Sequence, residues 1–175
     1  MQKLRRIADG IDRFTDRLGN VVSWLVGVMV VVCAAVALLR YILGVGWVWM
    51  QDIYIWSNAI VFMLGAAPTL LHDKHVRVDF IYGARSRKYR AWVDILGSIF
   101  LLAPSLAVIA VLSAPYVSDS WARFEGTLDV GGLPGVFVLK SVLLLFCLPL
   151  AAQGVSKAIR SYFVLTGHDS EGLCR

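Results

Sequence analysis

At 175 residues the chain has the length of one ordinary domain, yet 58% of it is hydrophobic and only 17% is charged, with a mean hydropathy of +0.70. Such a composition excludes a water-soluble globular domain and points to an integral membrane protein. The formal net charge of +5 sits beside apolar runs and forms no separate basic region, which favours a role in membrane orientation over a nucleic-acid partner.

Along residues 3–18, Leu4, Ile7, Ile11, Phe14 and Leu18 recur three or four apart, with Lys3, Arg5, Arg6, Arg13 and Arg17 mostly on other faces. This spacing predicts an amphipathic helix in the membrane interface. Two roles are open: a cationic leader that only orients the protein, or an arm along the membrane that braces a partner. The first span covers about 20–43 and has no ionisable side chain between Arg17 and Arg40. It is as long as a true span and is preceded by about twenty polar residues, so it reads as a retained helix and not as a cleaved signal. Arg40-Tyr41 ends it at the far interface, where the guanidinium reaches phosphates and the ring prefers the headgroup layer. Gly44 and Gly46 turn the chain, and Trp47, Trp49, Tyr54 and Trp56 supply an aromatic belt on that side.

The second span covers about 52–72 and opens on Gln51-Asp52. An acid in the first turn is favoured by the helix dipole; a pairing with Arg40 or a partner subunit is the alternative. Gly65, Ala66 and Ala67 give a small-residue surface for close packing, with a bend predicted at Pro68.

The loop from His72 to Arg90 carries six Lys or Arg and is expected on the cytoplasmic side. It contains the most distinctive short string, His75-Val76-Arg77-Val78-Asp79. Either Arg77 and Asp79 pair to close the loop, or His75, Arg77 and Asp79, on one side of an extended segment, present a surface to a partner.

The third span covers about 91–115, with Asp94 near its start and Pro104 in its middle. The following loop sets Asp119, Glu125 and Asp129 against a single Arg123, adds Trp121 to the aromatic belt, and is expected outside. A Gly131-Gly132-Leu133-Pro134 turn starts the fourth span, about 134–155. Lys140 lies roughly 9 Å along that helix. It reads as an interface anchor that snorkels outward, or as one half of a buried pair with Glu125, Asp129 or a partner's acid.

The fold class is therefore an all-α integral membrane protein: four transmembrane helices plus an N-terminal amphipathic interfacial helix. Residues 1–160 form one membrane domain and 161–175 a flexible tail. The N-terminus, the central loop and the tail hold fourteen of the seventeen Lys and Arg, which places both termini in the cytoplasm. There is no internal repeat of the kind that marks transporters built from two inverted halves.

Cys33 and Cys147 lie inside apolar runs and Cys174 in the tail, so no disulfide framework is expected. The middle of each span holds nothing ionisable, leaving no coordination for a translocated ion. His72, His75 and His168 cannot pair across facing helices to hold haem, and His72, Asp73, His75 and Asp79 lack a recognised metal-ligand spacing. No phosphate loop or nucleophilic triad is visible. These readings converge on a non-catalytic membrane subunit with no catalytic, cofactor or metal residues of its own.

In order, Arg40-Tyr41, Trp49 with Gln51-Asp52, Gly65-Ala66-Ala67, His75 to Asp79, Ser120-Trp121 with Glu125, Gly132-Leu133-Pro134, Lys140 and Gln153-Gly154 resemble the small membrane subunit of tripartite ATP-independent periplasmic (TRAP) transporters, over roughly residues 13–160. Asp52 stands where the longer Glu is expected from that pattern. The resemblance implies a fixed scaffold in the bacterial inner membrane, paired as a heterodimer with a large permease subunit that holds the substrate and sodium sites. It also implies a periplasmic binding protein that delivers an organic acid, sodium-coupled import, and no cofactor in this chain. With the residue-level reading it makes Arg40, Asp52, His75, Arg77, Asp79, Trp121, Glu125 and Lys140 the candidate partner contacts. Two other classes stay open: a membrane anchor for a redox enzyme, and a small channel or exporter acting alone.

Overall fold

A computed structural model describes residues 2–72 and 86–166, and among these every regular element is helical. The helices are α1 (Gln2–Leu43), α2 (Val48–Leu64), α3 (Ala66–Leu71), α4 (Arg87–Leu96), a π-helical stretch (Gly97–Leu102), α5 (Ala103–Ala122), α6 (Val136–Leu145) and α7 (Cys147–Leu165). They join into four runs long and apolar enough to cross a membrane: Gln2–Leu43, Val48–Leu71, Arg87–Ala122 and Val136–Leu165.

The expected amphipathic segment is helical, but it runs without a break into the first span. No proline interrupts residues 3–43, and Gly10, Gly19 and Gly27 remain helical. A helix of 42 residues is roughly 63 Å long at 1.5 Å per residue, about twice a hydrocarbon core of ~30 Å. Much of α1 therefore extends beyond the apolar layer. Leu4, Ile7 and Phe14 are exposed on one side of it, whereas Ala8, Thr15 and Val22, spaced seven apart, are buried. A seven-residue repeat keeps one seam of a helix against its neighbour over several turns.

Prolines set the breaks in the other spans, because each lacks an N–H and crowds the carbonyl four residues earlier. The second span interrupts at Gly65, three residues before Pro68, and the fourth at Phe146, three before Pro149. In the third, the π-helical stretch leads into Pro104, and the Ala103 N–H reaches back five residues to the Ser98 carbonyl. Past the breaks in the second and fourth spans the helix resumes at once, with Thr69 N–H donating to the Gly65 carbonyl at 3.1 Å and Leu150 N–H to the Phe146 carbonyl at 3.3 Å.

The fourth span is the centre of the assembly. It touches all three others, the first and second lie side by side, and the third packs chiefly on the fourth. Helix α7 presents two buried seams, Pro149, Ser156 and Phe163 in one, Cys147, Gly154 and Ser161 in the other. Ser156 meets α1 at the Ala8 carbonyl. Gly154 meets the third span: a Cβ there would lie 2.5 Å from Leu102 Cδ2, so only hydrogen fits without moving that leucine. Likewise Gly19 of α1 lies against Pro68, where an added Cβ would come within 3.1 Å of the ring.

Candidate functional site

The polar side chains gather into two junctions, one at each end of the helices. The first lies at the end away from the termini. The second span starts at Val48, not at Asp52, so Asp52 sits one turn inside the helix instead of in the dipole-favoured first turn. It is buried, and its Oδ2 accepts the backbone N–H of Leu133 at 2.8 Å. This ties the turn that begins the fourth span to the second. Gly132 makes the approach possible: a Cβ there would fall 2.6 Å from Asp52 Oδ2 and 2.1 Å from Thr127 Cγ2.

Beside it, Glu125 Oε2 accepts from Lys140 Nζ at 2.5 Å and from Ser120 Oγ at 2.7 Å. Lys140 also lies 4.0 Å from the centroid of the Tyr116 ring, a cation–π distance. Its side chain is only 11% exposed, against 40% for Glu125. Lys140 is thus one half of a pair with Glu125, and not a lone snorkelling anchor. The ammonium and the Ser120 hydroxyl hold the Glu125 carboxyl below the usual carboxylate range. Trp121 donates its indole N–H to Ser141 Oγ at 2.8 Å and packs edge-on against Phe137, centroids 4.6 Å apart. Asp52, Trp121, Glu125 and Lys140, chosen from sequence as contacts to another subunit, all make bonds within this chain.

Arg40 does not join them. It is exposed in the last turn of α1, next to a Tyr41 that is 92% exposed, and forms no ion pair among the described residues. The expected alternative of an Arg40–Asp52 pair is replaced by the Asp52–Leu133 bond. His75, Arg77 and Asp79 lie outside the described residues, as does most of the His72–Asp79 set weighed for metal; His72 itself pairs with Asp16 at 3.0 Å.

The second junction, at the end that carries the termini, was not singled out from the sequence. Asp12 is its hub. Its carboxylate accepts from Gln153 Nε2 at 3.1 Å and Ser156 Oγ at 2.7 Å, and pairs closely with Arg160, which also reaches Asp9 at 3.1 Å. Thr15 Oγ1, fully buried, donates to Gln153 Oε1 at 2.9 Å. Nearby, Lys157 of α7 lies 3.8 Å from Asp94 of α4, so α7 is tied to both neighbours at this end. A signal was present: Gln153, Ser156 and Arg160 stand at i, i+3 and i+7, and Asp9, Asp12 and Asp16 at i, i+3 and i+7 on the N-terminal helix. The positive charges of the N-terminal segment drew attention away from its acids.

Fold and junctions define a four-span helical membrane protein whose polar side chains brace its helices at both ends. Residues 28–163 match the family model of the DctQ component of tripartite ATP-independent periplasmic transporters. The chain belongs to that family, whose members are non-enzymatic components of transporters that also include a large permease and a periplasmic binding protein. No curated protein and no solved structure matches the chain.

Proposed function

We propose that this chain is the stationary subunit of a sodium-coupled importer of an organic acid, set beside a large permease in the bacterial inner membrane. The permease carries the substrate and sodium sites, and a periplasmic binding protein delivers the acid. The observation that supports this reading is the distribution of charge. Between Arg17 and Arg40, Asp52 and His72, Asp94 and Asp119, and Lys140 and Lys157 no Asp, Glu, Lys, Arg or His occurs, so the interior of every span is without a charged side chain. A pathway for an ion or a carboxylate is usually marked by charged side chains facing the bundle interior at that depth, whereas the one mid-span amide on the second span, Asn58, is exposed on its outside. The chain's bonded charged groups, among them Asp52, Glu125 with Lys140, Asp94 with Lys157, and Asp12 with Arg160, instead lie at the two ends, where they tie the spans together.

The basic residues support an orientation with both termini in the cytoplasm. Fourteen of the seventeen Lys and Arg belong to the N-terminal segment, the central loop and the C-terminal segment, a bias that supports a cytoplasmic side for those parts and a periplasmic side for the Glu125 loop. On this reading the outer junction presents Trp121 and Glu125 on the side where the binding protein docks.

Reconstitution tests the reading. Vesicles holding this chain, the large permease and the binding protein are expected to accumulate an organic acid when a sodium gradient is imposed. Vesicles with this chain alone are expected to accumulate none, and uptake by the lone chain overturns the assignment. Haem or quinone carried through purification would favour a redox-enzyme anchor instead.

A further inference from the structure

Asn58 is the exception to an otherwise apolar outward face on the second span. It lies about 15 Å along the axis from Val48, near the middle of a span that ends at Leu71. Its side chain is exposed and has no hydrogen bond among the described residues. It stands in an open groove between α1 and α2, whose other lining includes Val30, Cys33, Ala34, Tyr54 and Ile55.

At that depth the surroundings decide what covers the groove. A carboxamide carries two donors and a carbonyl acceptor, and acyl chains satisfy none of them. The side chain is too short to snorkel to an interface some 15 Å away. It is also not turned back onto its own helix, the usual refuge of a polar residue in a transmembrane segment. The groove therefore suits a helix with a polar side chain of its own more than it suits lipid. The family supplies such a helix, since its transporters pair this component with a large permease in the same membrane.

We propose that this groove seats a transmembrane helix of the large permease subunit, which supplies a hydrogen-bonding group to Asn58. The inference rests on the function proposed above. Small side chains at Cys33 and Ala34 leave room for the partner helix to approach closely, and the amide fixes its rotation and height.

The test uses the intact complex. The photo-crosslinker p-benzoylphenylalanine, replacing Ala34 in the groove, is expected to join this chain to the large permease; replacing Val111, exposed on the third span, it is expected not to. In a second arm, Asn58→Leu is expected to lower recovery of the permease on purification about three- to tenfold, with Asn58→Gln falling between. Helical content and monodispersity of the variant are checked alongside. Adducts at position 34 only with lipid or with a second copy, in a preparation that still holds the permease, overturn the groove assignment and leave the functional reading standing. A wild-type chain that retains no permease overturns that reading, and the groove assignment with it.

Discussion

The carboxylate of Asp52 and the backbone N–H of Leu133 meet at 2.8 Å although 81 residues separate them in the chain. One buried acid thereby fixes where the fourth span begins relative to the second. Removing the acceptor leaves a backbone donor unpaired, which costs about 1–3 kcal/mol. Asp52→Ala is expected to lower the thermal unfolding temperature in detergent accordingly. Asp52→Asn, which keeps a carbonyl oxygen, is expected to lose less, and an Ala variant as stable as wild type would show that the bond contributes nothing.

Gly132 is required by the same contact. An alanine there drives its methyl into Asp52 Oδ2 and Thr127 Cγ2, at 2.6 and 2.1 Å. Gly132→Ala is expected to cost about 1–3 kcal/mol, as overpacking of a close-fitted site does. In the double variant Asp52→Ala, Gly132→Ala, the two losses are expected to fall short of their sum, because the first substitution vacates space that the second needs.

Glu125 predicts a pH dependence with a definite sign. Its carboxyl is held below its ordinary range by the Lys140 ammonium first and the Ser120 hydroxyl second. A lowered folded-state value means that the pair's contribution is present above the ordinary glutamate value of about 4.3 and is lost as pH falls through the lowered one. The unfolding temperature of wild type is therefore expected to exceed that of Glu125→Gln at neutral pH, and the two curves to converge at acid pH. A difference that is unchanged at low pH would break the assignment.

The junction at the end that carries the termini separates two acids that bind the same arginine. Asp12 also receives Gln153 and Ser156, whereas Asp9 is more exposed and, among the described residues, holds only Arg160. Asp12→Ala is expected to cost about 2–4 kcal/mol, since it strands several partly buried partners. Asp9→Ala is expected to cost under about 1 kcal/mol. Hydrogen exchange over the first four turns of α1 reports both, with rapid exchange expected only in the Asp12 variant.

Membrane residence and the number of spans were legible in the sequence, because a bilayer forces a long run of apolar residues whatever the neighbouring helices do. The family was legible too, through short strings kept in order from Arg40-Tyr41 to Gln153-Gly154. The partners of those strings were not. Asp52 at a helix start, Lys140 near an interface and Trp121 in an aromatic belt each had a local explanation that accounted for them without a distant residue. Periodicity also predicted the amphipathic character of residues 3–18, but the exposed apolar stripe said nothing about the opposite face, where Ala8, Asp12 and Thr15 meet α7. Hydropathy is a property of one segment at a time. Which helix lies beside which, that the fourth span touches the other three, and that Asn58 finds no hydrogen bond among the described residues inside an open groove depend on packing between segments far apart in the chain, and only the tertiary structure decided them.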